Sequence, residues 1–157
     1  MSETMDLVIG IAQILSAIAT TTIAVVAYNY TRKSSRMSFI VDSTKMLNDV
    51  NNTFLSSEKT VAALAKIRTP ISGDFHLDYV ILTNLNYLHA TWMLRNEEVI
   101  SPELADAKLA NGSTFFLNFE RDAVERLLRR GFPETFRVEM LEHYDAAVSK
   151  ETAEQSD

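Results

Sequence analysis

The chain has 157 residues, a net charge of −6 and no cysteine. The lack of cysteine excludes disulfides, thiolate metal sites and a cysteine nucleophile. From residue 38 onward, 12 Lys and Arg residues stand against 19 Asp and Glu residues, a net charge of −7. Nucleic-acid binding requires a basic surface, so we expect no nucleic-acid partner.

The most informative segment is the apolar run at residues 7–28, which contains no charged side chain. A helix needs about 20 apolar residues to cross a bilayer core, so we predict a transmembrane helix over residues 7–28, with the lipid bilayer as its partner. A cleaved signal peptide is the alternative. Such peptides begin with a basic segment and have a shorter apolar core, whereas residues 1–6 here are acidic.

The orientation of this helix follows from the basic residues near it. Arg32, Lys33 and Arg36 follow the apolar run, and no Lys or Arg precedes it. The basic side of a span stays in the cytoplasm. We therefore predict a single-pass protein of the bacterial cytoplasmic (inner) membrane. Residues 1–6 form a short extracytoplasmic tail, residues 29–37 a basic stem, and the domain that follows lies in the cytoplasm.

Small or weakly polar residues recur along the predicted span with spacings of three and four, which places them on one helix face. They are Gly10, Gln13, Ala17, Thr20, Ala24 and Ala27. Such faces let helices approach closely, and Gln or Thr can hydrogen-bond across the contact. We predict that this packing stripe mediates self-association or binds a partner's transmembrane helix. The alternative is that the stripe reflects the general abundance of these residues in membrane spans.

Helical periodicity continues through residues 38–148, and strand-like alternation is absent. Ile40, Leu47, Val50 and Phe54 predict a first cytoplasmic helix over residues 38–55. The sequence leaves open whether that helix is continuous with the anchor. A cap at residues 56–58 starts a short second helix, and residues 70–74 form a loop.

The third predicted helix, over residues 77–95, is apolar nearly all round and is therefore expected to be the central buried helix. A cap, a proline and an acid at residues 101–103 start the next helix. We expect residues 111–113 to break or bend it. Phe116, Phe119, Ala123 and Leu127 then predict a further helix to Arg130, with Gly131 as its stop.

The last predicted helix starts at residues 132–134, and residues 149–157 are predicted to be a disordered tail because they are polar. The predicted fold is all-α, with one N-terminal transmembrane helix followed by a small bundle of about four to six helices. Short loops make neighbouring helices antiparallel.

No residue pattern indicates catalysis, a cofactor or a metal. Residues 139–143 resemble the metalloprotease pattern His-x-x-Glu-His, but Glu139 replaces the first histidine, so a surface pair of Glu139 with His143 is expected instead. The one basic cluster of the domain comprises Arg126, Arg129, Arg130 and Arg137. We favour intrahelical ion pairing of these arginines over an anion site, because acids precede Arg126 and Arg129 by four residues.

Two short elements, Leu85-Asn86-Tyr87 and Ile100-Ser101-Pro102-Glu103, follow the anchor and stem in the chain. In this layout the chain resembles a bacterial family of unknown function with an N-terminal single-pass anchor and a small cytoplasmic helical domain. That family has a Glu just after the Tyr, where this chain has Leu88. The resemblance implies the architecture and no activity.

Three hypotheses about function remain. The first is a membrane-anchored interaction or tethering module, without catalysis, that binds a protein partner or itself. The second is a small membrane effector or exclusion factor of a mobile element or a bacterial defence system. The third is an enzyme with an unfamiliar site, for which His89 and His143 are the best candidates.

Overall fold

A computed structural model describes the backbone of residues 2–154 and the side chains of residues 8–154. Over this range the chain forms six α-helices and one 3₁₀ helix and contains no strand. The prediction of an all-α fold is therefore confirmed. The chain divides into two compact units, one up to Met37 and one from Ser38 onward.

The first helix, α1, runs without interruption from Ser2 to Leu55. It includes residues 2–6 of the predicted tail, the apolar run and the basic stem, while Met1 lies outside the described residues. This resolves the question that the sequence left open, because the helix over residues 38–55 is continuous with the apolar run. The uninterrupted helix fits a sequence in which this stretch contains no proline.

Helix α2 spans Glu58–Ile67 and contains no buried side chain. Its first turn is capped as predicted, because the Ser57 hydroxyl accepts a hydrogen bond from the Thr60 amide at 3.4 Å. The loop that follows is fixed by Asp78, which is fully buried. The two carboxylate oxygens of Asp78 accept hydrogen bonds from the amides of Ile71 and Ser72, both at 2.8 Å.

The other elements form the bundle of the second unit: α3 (Phe75–Asn96), α4 (Pro102–Ser113), the 3₁₀ helix (Thr114–Asn118), α5 (Arg121–Leu128) and α6 (Glu134–Glu154). Helix α4 packs against α3 and α6, and α5 packs against α3 and α6. The core consists of Ile81, Leu85, Leu88, Leu109, Phe116, Val124, Leu127, Leu128, Phe136, Met140 and Tyr144. Helix α4 begins as predicted, with Ser101 as its cap and Pro102 in its first turn.

Helix α3 has more buried residues than any other described helix, as expected of the central helix, but it is not buried all round. Val80 is 43 % and Tyr87 49 % exposed. The neighbouring helices cover one side of α3. On its exposed side, Lys108 Nζ donates a hydrogen bond to the Tyr87 hydroxyl at 3.3 Å.

The helix predicted over residues 38–55 is present as the last part of α1. Of the four residues that predicted it, Ile40 is buried, whereas Leu47, Val50 and Phe54 are exposed.

The expected break at residues 111–113 occurs at the last of them, since α4 ends at Ser113 and the 3₁₀ helix follows from Thr114. Gly112 lies in the last turn of α4 and serves close packing. A Cβ at Gly112 would collide with Leu88 Cδ2 and would lie 3.1 Å from Leu88 Cδ1. The glycine thus allows the backbone of α4 to approach α3.

The helix predicted around Phe116 and Phe119 was also placed wrongly. Phe116 lies in the 3₁₀ helix, and Phe119 is extended at the end of that helix. Helix α5 starts only at Arg121 and ends at Leu128, before the expected Arg130. Tyr144 helps to hold the extended backbone at Phe119, because its hydroxyl donates a hydrogen bond to the Phe119 carbonyl at 3.2 Å.

The prediction of a disordered tail over residues 149–157 was wrong for the residues that the structure describes. Helix α6 continues to Glu154, so residues 149–154 are helical, and residues 155–157 lie outside the described range. Good helix formers explain the extension. Lys150 and Glu154 also form an i, i+4 pair with a distance of 3.8 Å between Nζ and Oε1.

Candidate functional site

The N-terminal part of α1 is the first candidate for a functional surface. By length and composition, α1 is the one helix among the described residues that is apolar enough to cross a membrane, and none of the side chains in its apolar window is buried. Ile14 is 62 % and Ile23 68 % exposed, for example. Such an exposed apolar surface needs a partner other than water.

All six residues of the packing stripe lie on this helix. Five of them are exposed and Gly10 is half-buried. No atom lies within 4 Å of a Cβ built on Gly10, so the close-approach position faces open space. Thr20 donates its hydroxyl to the Ser16 carbonyl at 2.8 Å. The hydroxyl of Thr20 therefore has its hydrogen-bond partner within the helix. In a contact with another helix, Thr20 would contribute a small side chain that lets the two backbones approach closely.

The predicted topology-setting residues Arg32, Lys33 and Arg36 follow on the same helix and are exposed. No turn separates them from the apolar run. The stem is therefore helical, and its charges follow directly upon the apolar surface.

Within the second unit, the densest polar cluster joins α3 to α4 and α6. Arg95 in α3 donates to both carboxylate oxygens of Glu139 in α6, at 2.6 and 2.7 Å, and to Asp106 in α4 at 2.6 Å. The Trp92 indole donates to Glu139 at 2.9 Å. The Arg95 and Glu139 side chains are 19 % and 26 % exposed. The sequence predicts only a surface pair for Glu139, and no local pattern indicates Arg95.

The electrostatics of this cluster follow from its geometry. Burial alone would raise the pKa of Glu139, but hydrogen bonds from Arg95 and Trp92 and the charge of Arg95 lower that pKa below its ordinary range. The hydrogen bond to Glu139 likewise raises the pKa of Arg95. The predicted pair of Glu139 with His143 is present, with 3.9 Å between Glu139 Oε1 and His143 Nε2. Glu139 and Asp106 are the two acids that pair with Arg95. We call Arg95, Trp92, Asp106 and Glu139 the clamp, because they join α3 to α4 and α6.

His89, a candidate of the enzyme hypothesis, lies in an aromatic cluster. Its ring stacks on Trp92 with centroids 5.8 Å apart and contacts the rings of Phe132 and Phe136 at 5.4 and 4.9 Å. Its Nε2 is buried without a hydrogen-bond partner. Burial lowers the pKa of His89, so the ring is neutral in the folded protein.

Three of the four arginines of the domain's basic cluster pair with acids three or four residues away, as favoured from the sequence. Arg126 lies 3.1 Å from Asp122, and Arg129 lies 2.6 Å from Glu125. Arg137 is paired with Glu134 at 2.9 Å. A separate pair joins two helices, because Arg121 in α5 contacts Asp145 in α6 at 2.9 Å.

One surface of the second unit was not anticipated. We call the exposed side chains of Phe39, Met46, Val50 and Phe54 the α1 face; they are 74, 63, 46 and 39 % exposed. A shallow groove of about 520 Å³ runs along it, bordered by Asp42 and other residues of the same helix. The sequence signal was present in the apolar spacing, which predicted a helix over residues 38–55 but did not indicate what its apolar side faces.

Among the described residues, no group of three or more His, Asp or Glu side chains could hold a metal ion. Comparisons with protein-family models, with curated proteins and with solved structures give no match. The resemblance to a bacterial family of anchored helical proteins stays a prediction. The strongest functional features are thus two exposed apolar surfaces, the apolar run of α1 and the α1 face.

Proposed function

We propose that this protein is a single-pass membrane protein whose N-terminal helix anchors an acidic helical domain, and that the domain acts as an interaction or tethering module without catalysis. One observation carries the proposal. The helix α1 begins with a long apolar run whose described side chains are exposed and continues unbroken into the second unit. Water solvates such a surface poorly, whereas a bilayer matches it in length and polarity.

The orientation in this proposal has the N-terminus outside and the domain in the cytoplasm. It is supported by the basic residues Arg32, Lys33 and Arg36 after the run and by their absence before it. The acidic domain also favours a position away from the anionic inner leaflet, since its net charge of −7 repels lipid phosphates.

The interaction role is supported by exposed surface that the described part of the chain does not cover. Apart from Ile40, the described side chains of α1 are not buried, and α2 buries none. The bundle of α3–α6 has its own hydrophobic core, and no side chain of α1 belongs to that core. A helix that is exposed over most of its surface suits attachment to a neighbouring helix.

Membrane extraction and topology test the anchor. We expect alkaline carbonate to leave the protein in the membrane fraction and detergent to release it. Because the chain has no cysteine, single variants report topology cleanly. Ser2→Cys should react with a membrane-impermeant maleimide in intact cells, and Ser149→Cys only after lysis. Release by carbonate would refute the anchor, and the reversed labelling pattern would refute the orientation.

Crosslinking in native membranes tests the interaction role. A C-terminal tag would recover the protein after gentle extraction, and a stoichiometric companion or a homo-oligomer is expected. Replacing Gly10 and Ala17 with Ile should weaken the association if the packing stripe carries it. Recovery of the protein as a monomer before and after crosslinking would contradict the tethering role.

A further inference from the structure

We propose that the α1 face pairs with the same face of a second copy of this chain, which forms a parallel two-helix contact beyond the anchor. The inference rests on the proposed membrane attachment and names the partner that the interaction role requires. It concerns residues 39–54, which lie within the second unit.

The exposure of the α1 face is the first step. Phe39 and Met46 are 74 % and 63 % exposed, although both are large apolar side chains. The opposite flank of this segment is tied to the bundle, because Asn86 donates to Asn48 at 3.2 Å and Ile40 is buried. The exposed side is therefore a defined face of an attached helix, and no residue that the structure describes covers it.

The spacing along the face fits a helix partner. Phe39 and Met46 are seven residues apart, and Val50 follows four residues later. Alternating steps of three and four residues with a repeat of seven form the seam of a two-stranded coiled coil. The seam is short, and Ser43 and Thr53 interrupt its apolar character, so we expect a contact that depends on the membrane for its stability.

Membrane attachment favours a second copy as the partner. Each copy has the same number of residues between its apolar run and its α1 face, and the anchors insert in one orientation. Identical faces thus meet in parallel and in register. Confinement to one membrane raises their effective concentration, which allows a contact smaller than a standard interface of about 800 Å² per partner to form.

The charges beside the face permit this pairing. Asp42, Lys45 and Asp49 border one side of it, and Leu47 lies on the other side. In a parallel pair related by a two-fold axis, one border meets the opposite border of the partner, so acids face Leu47 rather than acids. The net charge of −7 on each domain opposes pairing at long range. Salt screens that repulsion, so the dimer should strengthen as salt rises.

Cysteine crosslinking in native membranes tests the pairing directly. Met46→Cys and Val50→Cys are expected to form disulfide-linked dimers under mild oxidation. Val41→Cys is the matched control, because Val41 is 49 % exposed and lies on the opposite side of the helix. Dimer yield should be roughly tenfold higher at the face, since a disulfide requires Cβ atoms about 4 Å apart.

A charge variant gives an independent measurement. Val50→Glu should lower the fraction of dimer crosslinked by a lysine-reactive reagent several-fold, whereas Val41→Glu should leave it unchanged. Circular dichroism should show the same helix content for both variants, since both positions are exposed. Equal disulfide yields at positions 41, 46 and 50, or adducts with another protein alone, would overturn the pairing. Failure of the anchor itself would show separately, as release by carbonate.

Discussion

The guanidinium of Arg95 donates two parallel hydrogen bonds, of 2.6 and 2.7 Å, to the two carboxylate oxygens of Glu139. This end-on geometry joins α3 to α6, and the Trp92 indole adds a third donor to the same carboxylate. Charge-assisted bonds of this kind are stronger than neutral ones, and their loss is costly when the remaining charge is partly buried. The clamp therefore contributes to stability as well as to the relative placement of the two helices.

Glu139→Gln should lower the free energy of unfolding by about 1–3 kcal/mol, because Arg95 would keep only the more exposed Asp106 as a charged partner. Thermal unfolding of the purified full chain, followed by circular dichroism, would measure the change. Glu142→Gln, an exposed neighbour in α6, should leave the Tm unchanged. Equal Tm values for Glu139→Gln and the parent protein would contradict the structural role of the clamp.

The pH dependence of the clamp has a definite sign. The folded protein lowers the pKa of Glu139 below its ordinary value of 4.5. Its contribution is therefore complete above pH 4.5 and is lost as the pH falls through the lowered pKa. The stability difference between the parent protein and Glu139→Gln should shrink over that acidic range. A difference that stays constant down to acid pH would argue against ionised Glu139 as the acceptor.

His89 should make the domain sensitive to mild acid. Burial lowers its pKa below the ordinary value of 6.5, so the unfolded chain takes up a proton before the folded protein does. Stability should therefore fall as the pH drops from 6.5 toward the lowered pKa, and it should be unaffected by His89 above 6.5. His89→Phe should remove this part of the decline. His76→Gln, at an exposed position, serves as the control and should retain it.

Asp78 fixes the loop between α2 and α3. Asp78→Asn keeps the shape but replaces one acceptor oxygen with a donor, so one of the amides of Ile71 and Ser72 would lose its partner. We expect a loss of about 1–3 kcal/mol and faster hydrogen exchange in residues 70–74. Asp49→Asn, at an exposed site in α1, should change neither quantity. Unchanged exchange in Asp78→Asn would show that other contacts hold the loop.

The sequence predicted what local rules determine. Caps at Ser57 and Ser101 fixed the starts of α2 and α4, since a cap depends on residues within one turn. Contacts that reach beyond one helical turn were not predicted. The carboxylate of Asp78 accepts hydrogen bonds from amides six and seven residues earlier in the loop, and Glu139, the partner of Arg95, lies 44 residues away. Apolar spacing along α1 predicts an apolar face equally well whether the chain or a partner covers that face.

Gly112 illustrates the same limit, since glycine predicts the nearby end of α4 at Ser113 but gives no sign that packing against Leu88 requires the missing side chain. Gly112→Ala should destabilise the protein by about 1–3 kcal/mol through overpacking, although better helix propensity returns up to about 1 kcal/mol. Asn111→Ala, at the exposed neighbouring position, should be neutral or stabilising. Combining Gly112→Ala with Leu88→Ala should cost less than the sum of the two single changes, because the smaller side chain makes room for the new methyl group. Strict additivity of the two changes in the free energy of unfolding would mean that the close approach of α4 to α3 does not depend on this contact.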